Sequence, residues 1–111
     1  MKLRECFFLS RAIRYSKVWH NSLYFVVFVD LCYRLNDDGV YQGKLLPIEV
    51  HDGNYNYVHD IKQKAEFRRA CNWLIKNGYI SATKLFKPYR LSEYVYKIEL
   101  GEEGKKYVSL N

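Results

Sequence analysis

The sequence predicts an α+β fold, with a helical first part and a β-hairpin near the C-terminus. Residues 60–77 place apolar side chains at the spacing of an amphipathic helix. Residues 93–100 alternate apolar and polar side chains, as a strand with one buried face does. A chain of 111 residues, 49% of them hydrophobic, is long enough for one domain with a modest core.

The net charge of +6 comes entirely from the second half of the chain. Residues 1–60 carry seven Lys or Arg and seven Asp or Glu, whereas residues 61–111 carry eleven and five. Between residues 61 and 90 there are eight cations and a single anion, Glu66. A basic segment on a neutral body predicts a polyanionic partner. The alternative partner is an anionic membrane surface, but a helix that binds such a surface is usually not packed into a protein core.

No segment of the sequence predicts export or membrane insertion. The longest apolar run, residues 23–33, has 11 residues and contains Asp30, whereas a membrane-spanning helix needs about 20. The three cysteines, Cys6, Cys32 and Cys71, are far apart and form no CxxC pair. We therefore expect reduced, buried thiols and a cytoplasmic protein, in the host cytoplasm if its source is a virus.

The basic helix over residues 60–77 has two different faces. One stripe is apolar and is expected to enter the core: Phe67, Ala70, Cys71 and Leu74. The opposite stripe holds cations, a small residue and an amide: Lys62, Ala65, Arg69, Asn72 and Lys76, with Arg68 on the shoulder. Gly78 is expected to end the helix. Lys and Arg bind phosphates and guanine, and Asn binds adenine, so this face suits contact with DNA. A core helix whose outer face is merely solvated has the same pattern.

The first part of the chain is less clear. Residues 1–15 are expected to be an N-terminal arm that packs on the domain or on a second copy. Residues 16–77 form the helical part. Within it, residues 23–35 are apolar on both sides, and they fit either a strand by composition or a helix by length. As a helix, this segment is either a central core element or one side of a dimer interface, with these residues on the outer face: Tyr24, Phe25 and Phe28.

The middle of the chain carries turn signals but no clear second helix. Residues 36–39 and 51–54 are rich in Asn, Asp and Gly, which favour turns. Residues 40–50 are predicted to be extended, with breaks at Gly43 and Pro47. The boundary between residues 55–61 and the basic helix stays open.

The C-terminal part predicts a hairpin and a last helix. Residues 79–87 and 93–100 are the two strands of the hairpin, which spans residues 79–100. Pro88 cannot continue a central strand, so we expect a turn with a basic tip between the two strands. Residues 101–110 are predicted to be a short helix, with acidic residues first and lysines later.

Two motifs give the sequence a family resemblance. The first closes the basic helix and is carried by Leu74, Gly78, Tyr79 and Ile80. The second runs from the last strand onward and is carried by Tyr96, Ile98, Leu100, Gly104 and Tyr107. Together they resemble the C-terminal half of a winged helix-turn-helix domain, over about residues 57–110. Gly101 departs from the usual Thr or Ser, and the long segment before the basic helix departs from the usual short link.

The resemblance implies a single winged-helix domain over residues 1–111 that binds double-stranded DNA, and a homodimer acting as a sequence-specific transcriptional regulator. The size of the chain suits a small stand-alone repressor of the viral, plasmid or archaeal type. The residues implied to face the major groove are Lys62, Lys64, Arg68, Arg69, Asn72 and Lys76. Those of the wing, facing the backbone or minor groove, are Lys84, Lys87, Tyr89 and Arg90. Alternatively, Lys76 only complements the helix dipole, because it lies near the C-terminal end of the helix.

Other function classes have weaker support. A winged-helix module that binds proteins in a replication or host-directed complex is the second hypothesis, because the first half is rich in tyrosine. A metal-dependent nuclease would need Glu49, Asp52 and Asp60, which have no supporting spacing. The histidines and cysteines lack zinc-finger spacing, and no phosphate-binding loop or nucleophile elbow occurs. We expect no enzyme, no cofactor, no metal and no small-molecule ligand.

Overall fold

The structure, a computed structural model, describes residues 3–45, 61–85 and 95–111, and for residues 61–64 it describes the backbone alone. The described residues form an α+β fold with three α-helices and a small antiparallel sheet. The helices are α1 (Ser22–Arg34), α2 (Ile61–Lys76) and α3 (Glu102–Lys105), and a 3-10 helix covers Arg11–Tyr15. The strands are β1 (Phe8–Leu9), β2 (Tyr41–Gly43), β3 (Ile80–Leu85), β4 (Val95–Leu100) and β5 (Val108–Ser109).

The main sheet has the order β2–β4–β3, and all its pairs are antiparallel. The predicted hairpin is confirmed in its strands, because Ile80 pairs with Leu100 and Leu85 with Val95. The short strand that precedes α2 pairs with the second hairpin strand, with Tyr41 opposite Ile98. Strand β3, which follows α2 in the chain, therefore lies at one edge of this sheet among the described residues.

Residues 23–35, which fitted either a strand or a helix, form helix α1. Its first turn is capped by Asn21, whose side-chain Oδ1 accepts a hydrogen bond from the Tyr24 backbone N–H at 3.1 Å. Val27, Phe28 and Leu31 are fully buried, and they pack in one core with the inner face of α2 and with Ile80 and Ile98. These residues form one broad buried side of α1, whereas Leu23 and Val26 on its other side are 37% and 38% exposed.

Helix α2 ends as the sequence predicts. Gly78 has φ +79°, a left-handed conformation that glycine adopts without steric cost. The Gly78 N–H donates to the Ile75 carbonyl at 3.2 Å, and the Tyr79 N–H donates to the Leu74 carbonyl at 2.9 Å. This pair of bonds is a Schellman motif, and it turns the chain directly into β3.

The prediction of a helix over residues 101–110 is wrong beyond its first turn. Helix α3 has only four residues, and β5 follows it. The backbone of Gly101 and Gly104 lies directly against Gly78 and Tyr79, and a Cβ on Gly101 would overlap the Gly78 carbonyl oxygen. That carbonyl also accepts the Glu103 N–H at 2.9 Å. The close contact leaves no room for a side chain at position 101.

The N-terminal arm packs on its own domain. Strand β1 pairs with β5, with Phe8 opposite Ser109. The Arg4 guanidinium donates to the Leu110 carbonyl at 2.8 Å, and the Arg4 N–H donates to the Tyr33 carbonyl at 2.9 Å. The arm therefore includes a strand and the 3-10 helix, and it joins the start of the described chain to its end.

The cysteine prediction is correct for two of the three thiols. Cys32 and Cys71 are buried, whereas Cys6 is exposed, and all three are free. Burial raises the pKa of each buried thiol to about 12. The expectation of a buried thiol fails at Cys6 because the strand that follows it is short and lies at the surface.

The predictions for the middle segment and for the hairpin tip lie outside the described residues. They concern the turn at 51–54, residues 55–60 before the basic helix, the break at Pro47 and the basic tip around Pro88.

Candidate nucleic-acid interface

Helix α2 presents two faces, as its sequence pattern predicts. The inner residues Phe67, Ala70, Cys71 and Leu74 are at most 2% exposed. The predicted outer residues within the described side chains are exposed: Ala65, Arg68, Arg69, Asn72 and Lys76. Lys62 and Lys64 belong to the first turns of α2, and their side chains lie outside what the structure describes. Helix α2 thus packs on the core with one face and exposes cations and an amide on the other.

The cations of α2 differ from those of the C-terminal elements in their surroundings. The lysines of β4, of α3 and of its C-cap each lie beside a carboxylate: Lys97 with Glu99 at 3.0 Å, Lys105 with Glu102 at 3.8 Å, and Lys106 with Glu103 at 2.7 Å. The hydrogen bond from Lys106 to Glu103 raises the pKa of the lysine. Within the part of the chain that the structure describes, Arg68, Arg69 and Lys76 have no carboxylate partner. Their charge is therefore available to an external anion.

The hairpin contributes one described cation to the predicted surface. Lys84 is exposed near the end of β3, where it pairs with Tyr96 of β4. The other three predicted wing residues, Lys87, Tyr89 and Arg90, lie outside the described residues. Strand β3 follows α2 after three residues, so Lys84 belongs to the element that continues directly from the basic helix.

Stacked aromatic rings hold α2 against α1 and the sheet. Trp73 stacks on Tyr24 of α1 at 4.8 Å between ring centroids and on Tyr79 at 5.6 Å. Tyr79 in turn stacks on Tyr107 at 6.5 Å. Trp73 thus packs against neighbouring elements of its own chain, and the orientation of α2 is fixed from one side by four rings.

The predicted dimer interface needs correction. Phe28 is fully buried inside its own chain and contacts Tyr79 edge-on at 5.7 Å, so it cannot form a subunit surface. Tyr24 and Phe25 are half-buried, and their rings contact Trp73 and Trp19 of the same chain. The physical reason is that the N-terminal segment and α2 together cover the side of α1 on which these three residues lie.

A buried cation fixes α2 from the other side. Arg34 of α1 is 3% exposed and donates to Asp30 at 2.7 Å. Its guanidinium lies 5.3 Å from the ring centre of Phe67 in α2 and 5.5 Å from that of Tyr41 in β2. Burial raises the pKa of Asp30, and the neighbouring Arg34 opposes this shift. The sequence signal for this pair is the four-residue spacing of an acidic and a basic residue on one helix.

The described residues hold no group of three or more His, Cys, Asp or Glu that could bind a metal ion. The three carboxylates considered for a nuclease, Glu49, Asp52 and Asp60, lie outside these residues. None of the helices in the described ranges has the length and apolarity needed to cross a bilayer.

Comparison with family models, with curated proteins and with solved structures finds no match to this chain.

Proposed function

We propose that this protein is a winged helix-turn-helix regulator that binds double-stranded DNA sequence-specifically. In this proposal α2 enters the major groove, and the hairpin of β3 and β4 reaches the backbone or the minor groove. A helix of 16 residues is about 24 Å long, and its diameter suits the width of the major groove. The proposal rests on Arg68, Arg69 and Lys76, which are exposed and have no carboxylate partner among the described residues.

The arrangement of the elements supports the proposal. The basic helix runs through Gly78 directly into an antiparallel hairpin, which is the order that the family resemblance leads us to expect. The stacked rings around Trp73 and the buried Arg34 hold the helix on both sides. A recognition element that is rigid before binding loses little entropy when it binds.

The distribution of charge supports a polyanion as the partner. Arg69, Asn72 and Lys76 follow one another at three- and four-residue spacing on one face, over about 10 Å of helix. Arginine and lysine neutralise phosphates or read guanine, and the exposed amide of Asn72 can read adenine through two hydrogen bonds. The lysines of β4 and of the α3 turn lie beside carboxylates, whereas Arg68, Arg69 and Lys76 of α2 have no carboxylate partner among the described residues.

A protein-interaction module is the second candidate. The exposed aromatic side chains of the first half favour it, above all Tyr15, which is 85% exposed, and Trp19, which is 42% exposed. Aromatic side chains of this kind are common in protein interfaces. Salt dependence separates the two candidates, because counterion release makes DNA binding steeply salt-dependent.

Fluorescence anisotropy with a random-sequence DNA duplex tests the DNA-binding proposal. We expect the affinity of the wild-type protein to fall about 10-fold or more between about 50 and 200 mM salt. The double variant Arg68→Ala/Arg69→Ala should bind about 10- to 100-fold more weakly, and the slope of log affinity against log salt should fall by about 2. Selection of a preferred duplex from a random pool would then identify the sequence that α2 reads.

The matched control is Lys105→Ala/Lys106→Ala, which removes the same charge from the C-terminal end of α3. Because both lysines lie beside carboxylates of the same short helix, we expect its affinity to stay within about 3-fold of wild type. Equal losses in the two double variants would mean that net charge alone drives binding and that α2 is no reading element. No binding at the lower salt concentration would contradict DNA binding and leave the protein-interaction candidate in first place.

A further inference from the structure

A cleft opens between the 3-10 helix, the C-terminal end of α2 and α3. Its volume of about 400 Å³ lies in the range of small-molecule sites in proteins. Three distant parts of the chain line it, and they contribute these side chains: Tyr15, Lys17, Asn77, Tyr79, Glu103 and Tyr107. Because these parts meet only in the folded chain, no local sequence pattern indicates the cleft. None of the cations proposed to contact DNA belongs to it.

Two opposite charges line the cleft without pairing with each other. Lys17 is exposed and forms no ion pair within the described ranges. Glu103 accepts a hydrogen bond from Lys106 through one carboxylate oxygen, Oε1, at 2.7 Å. Its other oxygen has no hydrogen-bond partner in the described part of the chain. A ligand that carries both charges can therefore bind to both sides of the cleft.

The hydroxyl of Tyr79 is a further group without a partner. Tyr79 lines the cleft but is only 3% exposed, and its ring stacks on Trp73 and on Tyr107. No described residue forms a hydrogen bond with its hydroxyl. Polar groups at such buried positions usually have a partner. Because the stacked ring holds the hydroxyl in place, a ligand that accepts its hydrogen bond requires little ordering of the site.

Asn77 adds a hydrogen-bond acceptor. Its side-chain Nδ2 donates to the Trp73 carbonyl at 2.8 Å, which fixes the amide at the end of α2. Its Oδ1 has no partner among the residues that the structure describes. The cleft thus offers donors from Lys17 and Tyr79 and acceptors from Asn77 and Glu103. Donors bind a carboxylate, and acceptors bind an ammonium group.

We propose that this cleft binds a free α-amino acid with an aromatic side chain. The donors bind its carboxylate, the acceptors bind its ammonium group, and the rings of Tyr15 and Tyr107 contact its side chain. A monoanion would lie near the Glu103 carboxylate, and a monocation near the Lys17 ammonium, so a zwitterion fits the cleft better than either. The proposal does not rest on DNA binding, because the cleft and the exposed cations of α2 share no residue.

Amide NMR of the isotope-labelled protein, titrated with L-phenylalanine, tests the site. A ligand of this size should bind with a dissociation constant of about 1 mM. We expect the largest shifts at Lys17, Asn77 and Glu103. Phenylpropionate lacks the ammonium group and phenethylamine lacks the carboxylate, so each should bind about 10-fold more weakly than L-phenylalanine.

The variant Lys17→Met tests which group binds the carboxylate. It should bind L-phenylalanine about 10-fold more weakly than wild type, because the cation of the site is lost. Its binding of phenethylamine should not weaken, because that probe has no carboxylate. The matched control is Lys105→Met, which removes the same charge from α3 outside the cleft and should leave both affinities unchanged.

The variant Tyr79→Phe separates ligand binding from folding. It keeps the stacked ring and removes a hydroxyl that no described residue contacts by a hydrogen bond, so the urea midpoint should stay that of the wild type. L-phenylalanine should bind about 5-fold more weakly, because one hydrogen bond to its carboxylate is lost. The control Tyr33→Phe removes a hydroxyl outside the cleft and should change neither quantity.

Several results would overturn the proposal. Amide spectra that do not change up to about 20 mM L-phenylalanine would exclude the site. Phenylpropionate or phenethylamine binding as tightly as L-phenylalanine would exclude a zwitterion as the ligand. Equal affinities of the Lys17→Met and Lys105→Met variants, or a Tyr79→Phe variant that binds as the wild type does, would remove the assigned donors. The titration contains no DNA, so each outcome is independent of the DNA-binding proposal.

Discussion

Helices α1 and α2 share one core but present different outer faces. Their inner faces are equally buried: Phe28 and Leu31 on α1, and Ala70 and Leu74 on α2, are all 0% exposed. Outside, α1 exposes Leu23 and Val26, whereas α2 exposes arginine, lysine and asparagine. The inner face of a helix determines where it packs, and its outer face determines what it can bind. In this chain one outer face is partly apolar and the other is basic.

The largest effect on stability is expected when a core side chain is removed from α1. Phe28→Ala should lower the free energy of unfolding by about 4 kcal/mol, because the ring is fully buried and contacts Tyr79. Val26→Ala, on the outer face of the same helix, should stay within about 0.5 kcal/mol of wild type. Urea denaturation followed by circular dichroism measures both. Similar losses in the two variants would mean that the outer face is also part of the core.

A somewhat smaller loss of stability is expected when the buried cation that links the two helices is removed. Arg34→Met keeps most of the side-chain volume but leaves Asp30 without its charge partner, which should cost about 3 kcal/mol at pH 7. Replacing both residues by apolar ones, as Asp30→Leu/Arg34→Met, should recover most of this loss. If the double variant is no more stable than the single one, the guanidinium acts through its contacts with Phe67 and Tyr41.

The pH dependence of the Arg34→Met variant sharpens this prediction. Arg34 lowers the pKa of Asp30, so its removal should raise that pKa further above the ordinary value of 3.8. A folded pKa above the unfolded one means that stability is greatest below the unfolded value and falls as pH rises through the folded pKa. The deficit relative to wild type should therefore shrink as pH falls from 7 toward about 4. Urea titrations across this range measure it, and a constant deficit would contradict the assignment.

The mildest measurement leaves the fold intact and compares one thiol on each helix. Cys32 of α1 and Cys71 of α2 are both buried, and burial raises the pKa of each to about 12. At pH 8 a thiol reagent should label Cys6 within minutes and the other two only after addition of denaturant. Cys6→Ser is the control, because it should remove the fast reaction entirely. Fast labelling of Cys71 alone would show that the α2 side of the core opens more readily than the α1 side.

The sequence predicted α2 and the hairpin well because their signals are local. The apolar stripe ending at Leu74 has helical spacing, Gly78 follows it, and residues 93–100 alternate. Each signal can be read within a window of a few residues, and the packing of the core agrees with it. For the same reason, the exposed residues of α2 could be identified in advance.

The other elements depend on contacts between distant parts of the chain. The helix expected over residues 101–110 stops early because Gly101 and Gly104 pack on the backbone of Gly78 and Tyr79, and because β5 pairs with β1, about 100 residues away in sequence. Phe28 was assigned to an interface because a helix that is apolar all round does not show which side its own domain covers. The Asp30–Arg34 pair has helical spacing, but nothing local indicates that it is buried.

The pairing of β1 with β5 also has a mechanical consequence. Because the strands are antiparallel, the two chain ends leave this small sheet on the same side, next to the Phe8–Ser109 pair. A stretching force applied to the ends would load its hydrogen bonds one at a time, as in opening a zipper, and would peel off the N-terminal arm first. The Arg4–Leu110 hydrogen bond lies outside this pair and would resist the pull before either strand does. The main sheet, whose strands lie between β1 and β5 in the chain, would be loaded only afterwards.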